Sequence, residues 1–131
     1  EVLAAPGIDP AAREILAVLV PANVAVEAMK RAVGRVRPDG DSKRSNSSLP
    51  SSHAANAFAL AAYVAWRWRR ALAPAALGAL LVAASRVYLN RHFVSDVLVG
   101  AAIGVGSAWL VLWWARGAGS SWVGRGRLGR R

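Results

Sequence analysis

Val97-Leu-Val-Gly-Ala-Ala-Ile-Gly-Val-Gly-Ser-Ala-Trp-Leu-Val-Leu-Trp-Trp-Ala115 is a run of 19 uncharged residues, about the length that crosses the hydrocarbon of a bilayer as one helix. Trp109, Trp113 and Trp114 crowd its far end, where amphipathic rings settle between hydrocarbon and water. Gly100, Gly104 and Gly106 offer close contact to a neighbouring helix. With 55% hydrophobic residues, a chain of 131 residues built around such a run is one domain's worth of membrane protein rather than a soluble globule.

Three more apolar segments precede it. Ala71 to Ala84 returns through the membrane, with Pro74 in its first turn, and stays helical to Tyr88. Ala54 to Trp66 is almost wholly apolar and ends in Trp66-Arg-Trp-Arg-Arg70, the aromatic and basic pattern of a helix leaving a bilayer. The first helix, from about Ala11 to Val33, starts at Asp9 and Pro10; Arg13, Glu14, Pro21, Asn23 and Glu27 interrupt it and are expected to face protein. The expected fold is all-α: a polytopic transmembrane helical bundle of about four membrane helices. Residues 1–116 form a membrane-embedded domain and 117–131 a basic flexible tail, Gly- and Ser-rich with Trp122, lying on the membrane surface. The start at Glu1 rather than Met points to a native beginning upstream, and no removable signal peptide is visible.

The net charge of +10 would indicate nucleic acid on a soluble domain, but here the basic residues lie between and beyond hydrophobic segments, so anionic membrane lipids are the expected partner. The absence of cysteine excludes disulfides, thiol catalysis and zinc-thiolate sites.

Chemistry is concentrated in three polar islands. Gly34 to Ser52 is a polar loop that cannot lie in hydrocarbon, where each unsatisfied backbone group costs several kcal/mol. Lys30 to Pro38 leads into it, and Pro50-Ser51-Ser52-His53 opens the second helix out of it. The third island is Ser85-Arg-Val-Tyr-Leu-Asn-Arg-His-Phe-Val-Ser-Asp96, with His92 in a short break. Helices that alternate across the bilayer bring all three islands to one side. Lys30, Arg37 and Arg86 around two histidines suit a phosphate. His92 and Asp96, four apart, share a face on a helical turn, so Asp96 is placed to accept a hydrogen bond from one imidazole nitrogen and leave the other free to attack. His53 follows a helix start, where free N–H groups and the dipole favour an anion. Arg31, Arg35, Lys43 and Arg44 read as interfacial anchors reaching for headgroups.

Together these islands resemble the type 2 phosphatidic acid phosphatase superfamily, membrane relatives of acid phosphatases and vanadium haloperoxidases. Its Lys-x6-Arg-Pro part is matched by Lys30, Arg37 and Pro38; Pro-Ser-Gly-His by Pro50, Ser51, Ser52 and His53; and Ser-Arg-x5-His-x3-Asp by Ser85, Arg86, His92 and Asp96. Ser52, where the pattern has Gly, is the one departure, and it resists a positive φ or a closer phosphate approach. The family core normally has six helices, so four imply two lost N-terminal helices or an unusually small member.

The resemblance implies an integral-membrane phosphatase acting on a polyprenyl or glycerolipid phosphate or diphosphate through a phosphohistidine. His92 would be the nucleophile, Asp96 would orient it, and His53 would be acid and then base. Lys30, Arg37, Arg86, Ser51 and Ser52 would hold the phosphate, with no cofactor and no metal. The competing readings are a non-catalytic anionic-lipid-binding or scaffold protein and a vanadate-dependent peroxidase relative. The expected partners are the lipid phosphate substrate and membrane lipids, with a homo-oligomer left open. The basic turn at Arg67, Arg69 and Arg70 and the basic tail lie opposite the islands, which places the site on the extracytoplasmic side of the cell membrane.

Overall fold

The computed structural model describes residues 7–117, so the tail expected at 117–131 lies, apart from its first residue, outside the described residues. Four helices follow one another: α1 (Pro10–Val33), α2 (Ser52–Arg67), α3 (Leu72–Tyr88) and α4 (Val94–Gly117), with 3-10 turns at Arg44–Asn46 and Arg69–Ala71 and no strand among the described residues.

Local chemistry sets the boundaries. Asp9 caps α1, its Oδ1 accepting from the N–H groups of Ala11 and Ala12, with Pro10 as the first helical residue. Gly34 ends α1 in the left-handed region at φ 62° and donates its N–H to the Lys30 carbonyl. At the end of α3, Asn90 takes a positive φ of 56°, a conformation Asn tolerates better than most residues. The chain doubles back there, and the N–H groups of Arg91 and His92 both donate to the Arg86 carbonyl. α4 begins three residues before Val97, so Asp96 falls in its first turn. There Asp96 Oδ2 accepts the Phe93 N–H at 2.8 Å, a cap on the helix it starts.

α2 is the central helix. Antiparallel α1 packs on it through Val18, Ala59 and Tyr63, which with Ala108 and Leu112 form the larger core cluster. Two polar links cross the same interface: Tyr63 Oη donates to Glu14 Oε2 at 2.6 Å, and Asn23 Nδ2 donates to Asn56 Oδ1 at 2.7 Å. The expectation that the polar positions of α1 face protein therefore holds for Glu14 and Asn23, whereas Glu27 is exposed.

α4 runs parallel to α2. Ser51 N–H donates to the Asp96 carbonyl at one end, and Arg116 lies over the Trp66 ring, 5.5 Å from its centroid, at the other. Between these ends Gly100 and Gly104 face α2 so closely that an added methyl would overlap the Ser51 carbonyl at 100 and the Ala55 carbonyl at 104. Gly106, expected to share this role, has open space instead.

Two segments are long and apolar enough to cross a membrane: Arg69–Tyr88, with mean hydropathy 1.5, and Val94–Gly117, with 1.9. Leu77, Leu80 and Leu81 on the first and Leu98, Trp109 and Leu110 on the second are exposed, as lipid-facing side chains would be. α2, with 16 residues, extends only about 24 Å, less than the ~30 Å of hydrocarbon, and α1 carries five charged side chains between Arg13 and Arg31.

Candidate active site

The N-terminus of α2, the C-termini of α1 and α3 and the start of α4 meet at one end of the bundle, and every residue the sequence marks for the site lies on or beside them. The field at His53 shows the convergence: the charges that act on it come from Arg86 on α3, Lys30 on α1 and Arg37 in the loop. His53 itself is exposed at the first turn of α2. By helix geometry the Ser52 and His53 N–H groups there have no intrahelical acceptor and face an approaching anion.

His92 is 3% exposed, and its Nδ1 lies 2.8 Å from the Ser48 carbonyl. A carbonyl only accepts, so Nδ1 carries the hydrogen and Nε2 keeps its lone pair. Asp96 was expected to take that hydrogen. Its nearer carboxylate oxygen, Oδ2, stands 3.8 Å from Nδ1, beyond hydrogen-bond length, because Oδ2 is held by the Phe93 N–H and by a short bond from Ser48 Oγ. Oδ1 accepts from Arg35 at 2.7 Å. Asp96 is fully buried, and all three of these donors converge on it.

Arg35 is thus more than the interfacial anchor read from sequence. Its Nη1 also reaches Ser95 Oγ at 2.7 Å, and its guanidinium lies over the Phe93 ring, 4.3 Å from the centroid. Of the other residues read as anchors, the side chain of Arg44 lies outside the described residues.

Arg37 is buried. Its Nε donates to the Asn46 carbonyl at 2.9 Å, Nη2 to Asn46 Oδ1 at 2.7 Å and Nη1 to the Arg91 carbonyl at 3.2 Å, leaving two of a guanidinium's five N–H donors for a phosphate. Asn46 is itself held by Asp41, which accepts from its amide at 2.6 Å. Bonds from the Lys43 N–H and the Asn46 amide keep the Asp41 carboxyl below the ordinary carboxylate range. The 34–52 loop is thereby closed around one cation.

Ser51 is fully buried as the N-cap of α2, its Oγ accepting the Ala54 N–H at 3.3 Å. Ser52, in the place of Gly, sits in the first turn of α2 and is not among the positive-φ residues, so its backbone meets no penalty for a side chain. Burial pushes the His92 imidazole below its ordinary value near 6.5. The Ser48 carbonyl opposes this, Arg37 adds to it, Asp96 opposes it and Lys30 adds again, so the ring is neutral at neutral pH.

Sequence reasoning missed Ser48, Asn46 and the second role of Arg35. They sit in an aperiodic stretch of Ser, Asn and Arg, where nothing in spacing separates a structural hydroxyl from a solvated one.

A four-helix unit that gathers cations, two histidines and a buried carboxylate at one end defines a class, and the sequence agrees: residues 11–120 match the PAP2 superfamily, and the chain belongs to it. Among its relatives is the lipid A 1-phosphatase of Porphyromonas gingivalis, 39% identical over 84 residues, which make up 61% of this chain and 18% of that protein. Among solved structures, a transmembrane PAP2-type phosphatidylglycerolphosphate phosphatase from Bacillus subtilis superposes with a TM-score of 0.65 at 29% identity, covering 79% of this chain and 58% of the other. The chain therefore spans less than two thirds of either relative's length.

Proposed function

We propose that this chain carries the catalytic site of an integral-membrane lipid phosphate phosphatase working through a phosphohistidine. The observation that carries the reading is the His92 Nδ1–H held by the Ser48 carbonyl, which aims a neutral Nε2 lone pair from within the field of Arg37 and Lys30. Nε2 attacks phosphorus, the bond from phosphorus to the lipid or diphosphate oxygen breaks, and His53 donates a proton to that leaving oxygen. The ring then carries positive charge, which the Ser48 carbonyl and the Asp96 carboxylate 3.8 Å away stabilise. Water next attacks phosphorus, His53 takes its proton, and the P–N bond breaks to release phosphate and neutral His92. Lys30, Arg37 and Arg86 and the first N–H groups of α2 hold the equatorial oxygens. Ser51 supports them as the cap of that helix rather than as an exposed donor.

The relatives act on phosphorylated lipids, and the same dianionic headgroup on a glycolipid, glycerolipid or polyprenyl tail is the substrate class proposed here. The test is phosphate release in detergent from phosphatidic acid, phosphatidylglycerol phosphate, lipid A and a polyprenyl diphosphate, in the presence of chelator because fixed cations supply the charge. The protein should hydrolyse at least one of them, and His92→Ala should lower that rate by at least about a thousandfold, as loss of a nucleophile does. Equal rates for the two proteins, or activity that needs added magnesium, would overturn the reading.

A further inference from the structure

Arg35 and Ser48 lie outside the three sequence islands' matched positions, yet the buried carboxylate of Asp96 is bonded to both. Asp96 reaches His92 through one of them: Ser48 Oγ donates to Asp96 Oδ2, and the carbonyl of the same Ser48 accepts the His92 Nδ1 hydrogen at 2.8 Å. Arg35 grips the other carboxylate oxygen with Nη1 at 2.7 Å and is also tied to this segment by its backbone. Its N–H donates to Ser47 Oγ at 2.9 Å, and its carbonyl accepts the Ser48 N–H at 2.8 Å. Ser47, Ser48 and Asp96 are each fully buried, so the bonds of Ser48 to Asp96 and His92 are shielded from water, while the Arg35 side chain is partly exposed.

On the phosphatase reading above, we propose that Arg35 and Ser48 are positioning residues for the phosphoryl transfer: Arg35 fixes Asp96, Asp96 fixes the Ser48 hydroxyl, and the Ser48 carbonyl fixes the nucleophile His92. Arg35 acts through this chain and does not hold substrate. Its Nη1 is held by Asp96 and Ser95 and its guanidinium lies over Phe93, and the charges acting on the two histidines come from Arg37, Lys30 and Arg86 rather than from Arg35.

The test measures kcat and KM for wild type, Arg35→Gln, Arg35→Lys, Ser48→Ala, Asp96→Asn and the Arg35→Gln/Asp96→Asn pair, using the panel lipid that wild type hydrolyses fastest. Helical circular dichroism and elution in detergent check the fold. A misaimed nucleophile costs turnover rather than binding, so Arg35→Gln and Ser48→Ala should each lower kcat about 10- to 100-fold with KM within about threefold. Arg35→Lys, which keeps the charge, should recover part of that loss. Because Arg35 acts through Asp96, the double variant should be no more than about threefold slower than Asp96→Asn alone. Wild-type kcat in Arg35→Gln, a raised KM at unchanged kcat, or losses that multiply in the double variant would each overturn the relay. Should Arg35→Gln fail to fold, Arg35→Lys and Ser48→Ala decide by the same kcat criterion. Turnover by wild type but not by His92→Ala, combined with a silent Arg35→Gln, removes the relay and leaves the phosphatase standing. Absence of turnover in wild type removes both.

Discussion

A neutral imidazole attacks phosphorus and a protonated one does not, so in the proposed mechanism the environment of His92 sets the acid side of the pH profile. Burial lowers its pKa below the ordinary value near 6.5, and the lone pair should stay available as pH falls through that range. The acid limb of kcat/KM is expected below about 6.5. A lipid phosphate ionises near pH ~6 on its own account, so the diagnostic is a shift of the limb rather than its place. Arg37→Gln removes a cation that disfavours the imidazolium, raises the His92 pKa and should move the limb to higher pH; a limb that stays put would assign it to the substrate. At this scale the sequence was readable where spacing carries meaning. Six residues between Lys30 and Arg37 and three between His92 and Asp96 pick out side chains that the fold brings to one end of the bundle. Whether Asp96 or a backbone carbonyl takes the imidazole hydrogen depends on how the 47–50 segment folds, and no spacing encodes that.

Helix packing is where small residues matter. α2 carries His53, and α4 carries Asp96; their distance is set by Gly100 and Gly104 lying against Ser51, Ala54, Ala55 and Ala59. Gly104→Ala should push α2 away at the Ala55 carbonyl, costing about 1–3 kcal/mol of stability as overpacking does, and should lower turnover with it. Gly106→Ala, where the added methyl meets open space, should leave both within error. Thermal unfolding in detergent checks the pair, and equal midpoints for the two variants would refute the close-contact account. The glycines were legible as contacts in general, but which of the three faces α2 depends on a helical phase that an evenly apolar α4 does not reveal. Its N-terminal boundary was hidden similarly: the apolar run starts at Val97, and the Asp96 cap carries the helix back to Val94.

For the molecule as a whole, the order of segments already brings three distant islands to one end, because successive helices alternate in direction. The Trp66 and Arg116 contact at the opposite end confirms that alternation for α2 and α4. The extracytoplasmic placement proposed for the site rests on Arg67, Arg69 and Arg70 at that opposite end, since short basic turns stay cytoplasmic. A cysteine placed at Ser45, an exposed position in the loop over the site, should react with a membrane-impermeant maleimide in intact cells. Labelling only after the inner surface is opened would reverse the orientation without touching the chemistry.

The proposed chemistry turns on one bond, between phosphorus and Nε2 of His92. On that proposal His53→Ala removes the base that activates water but leaves the nucleophile, and an aryl phosphate with a weakly basic leaving group needs little proton donation. Phosphoenzyme should therefore accumulate in that variant. The decisive measurement is a single-turnover reaction of His53→Ala with such an aryl phosphate, quenched in alkali to preserve the P–N bond, with the modified residue located by peptide mass spectrometry. The account predicts phosphate on His92 and none in His53→Ala/His92→Ala; phosphate on Ser51 or any other side chain, or the same label without His92, would contradict it.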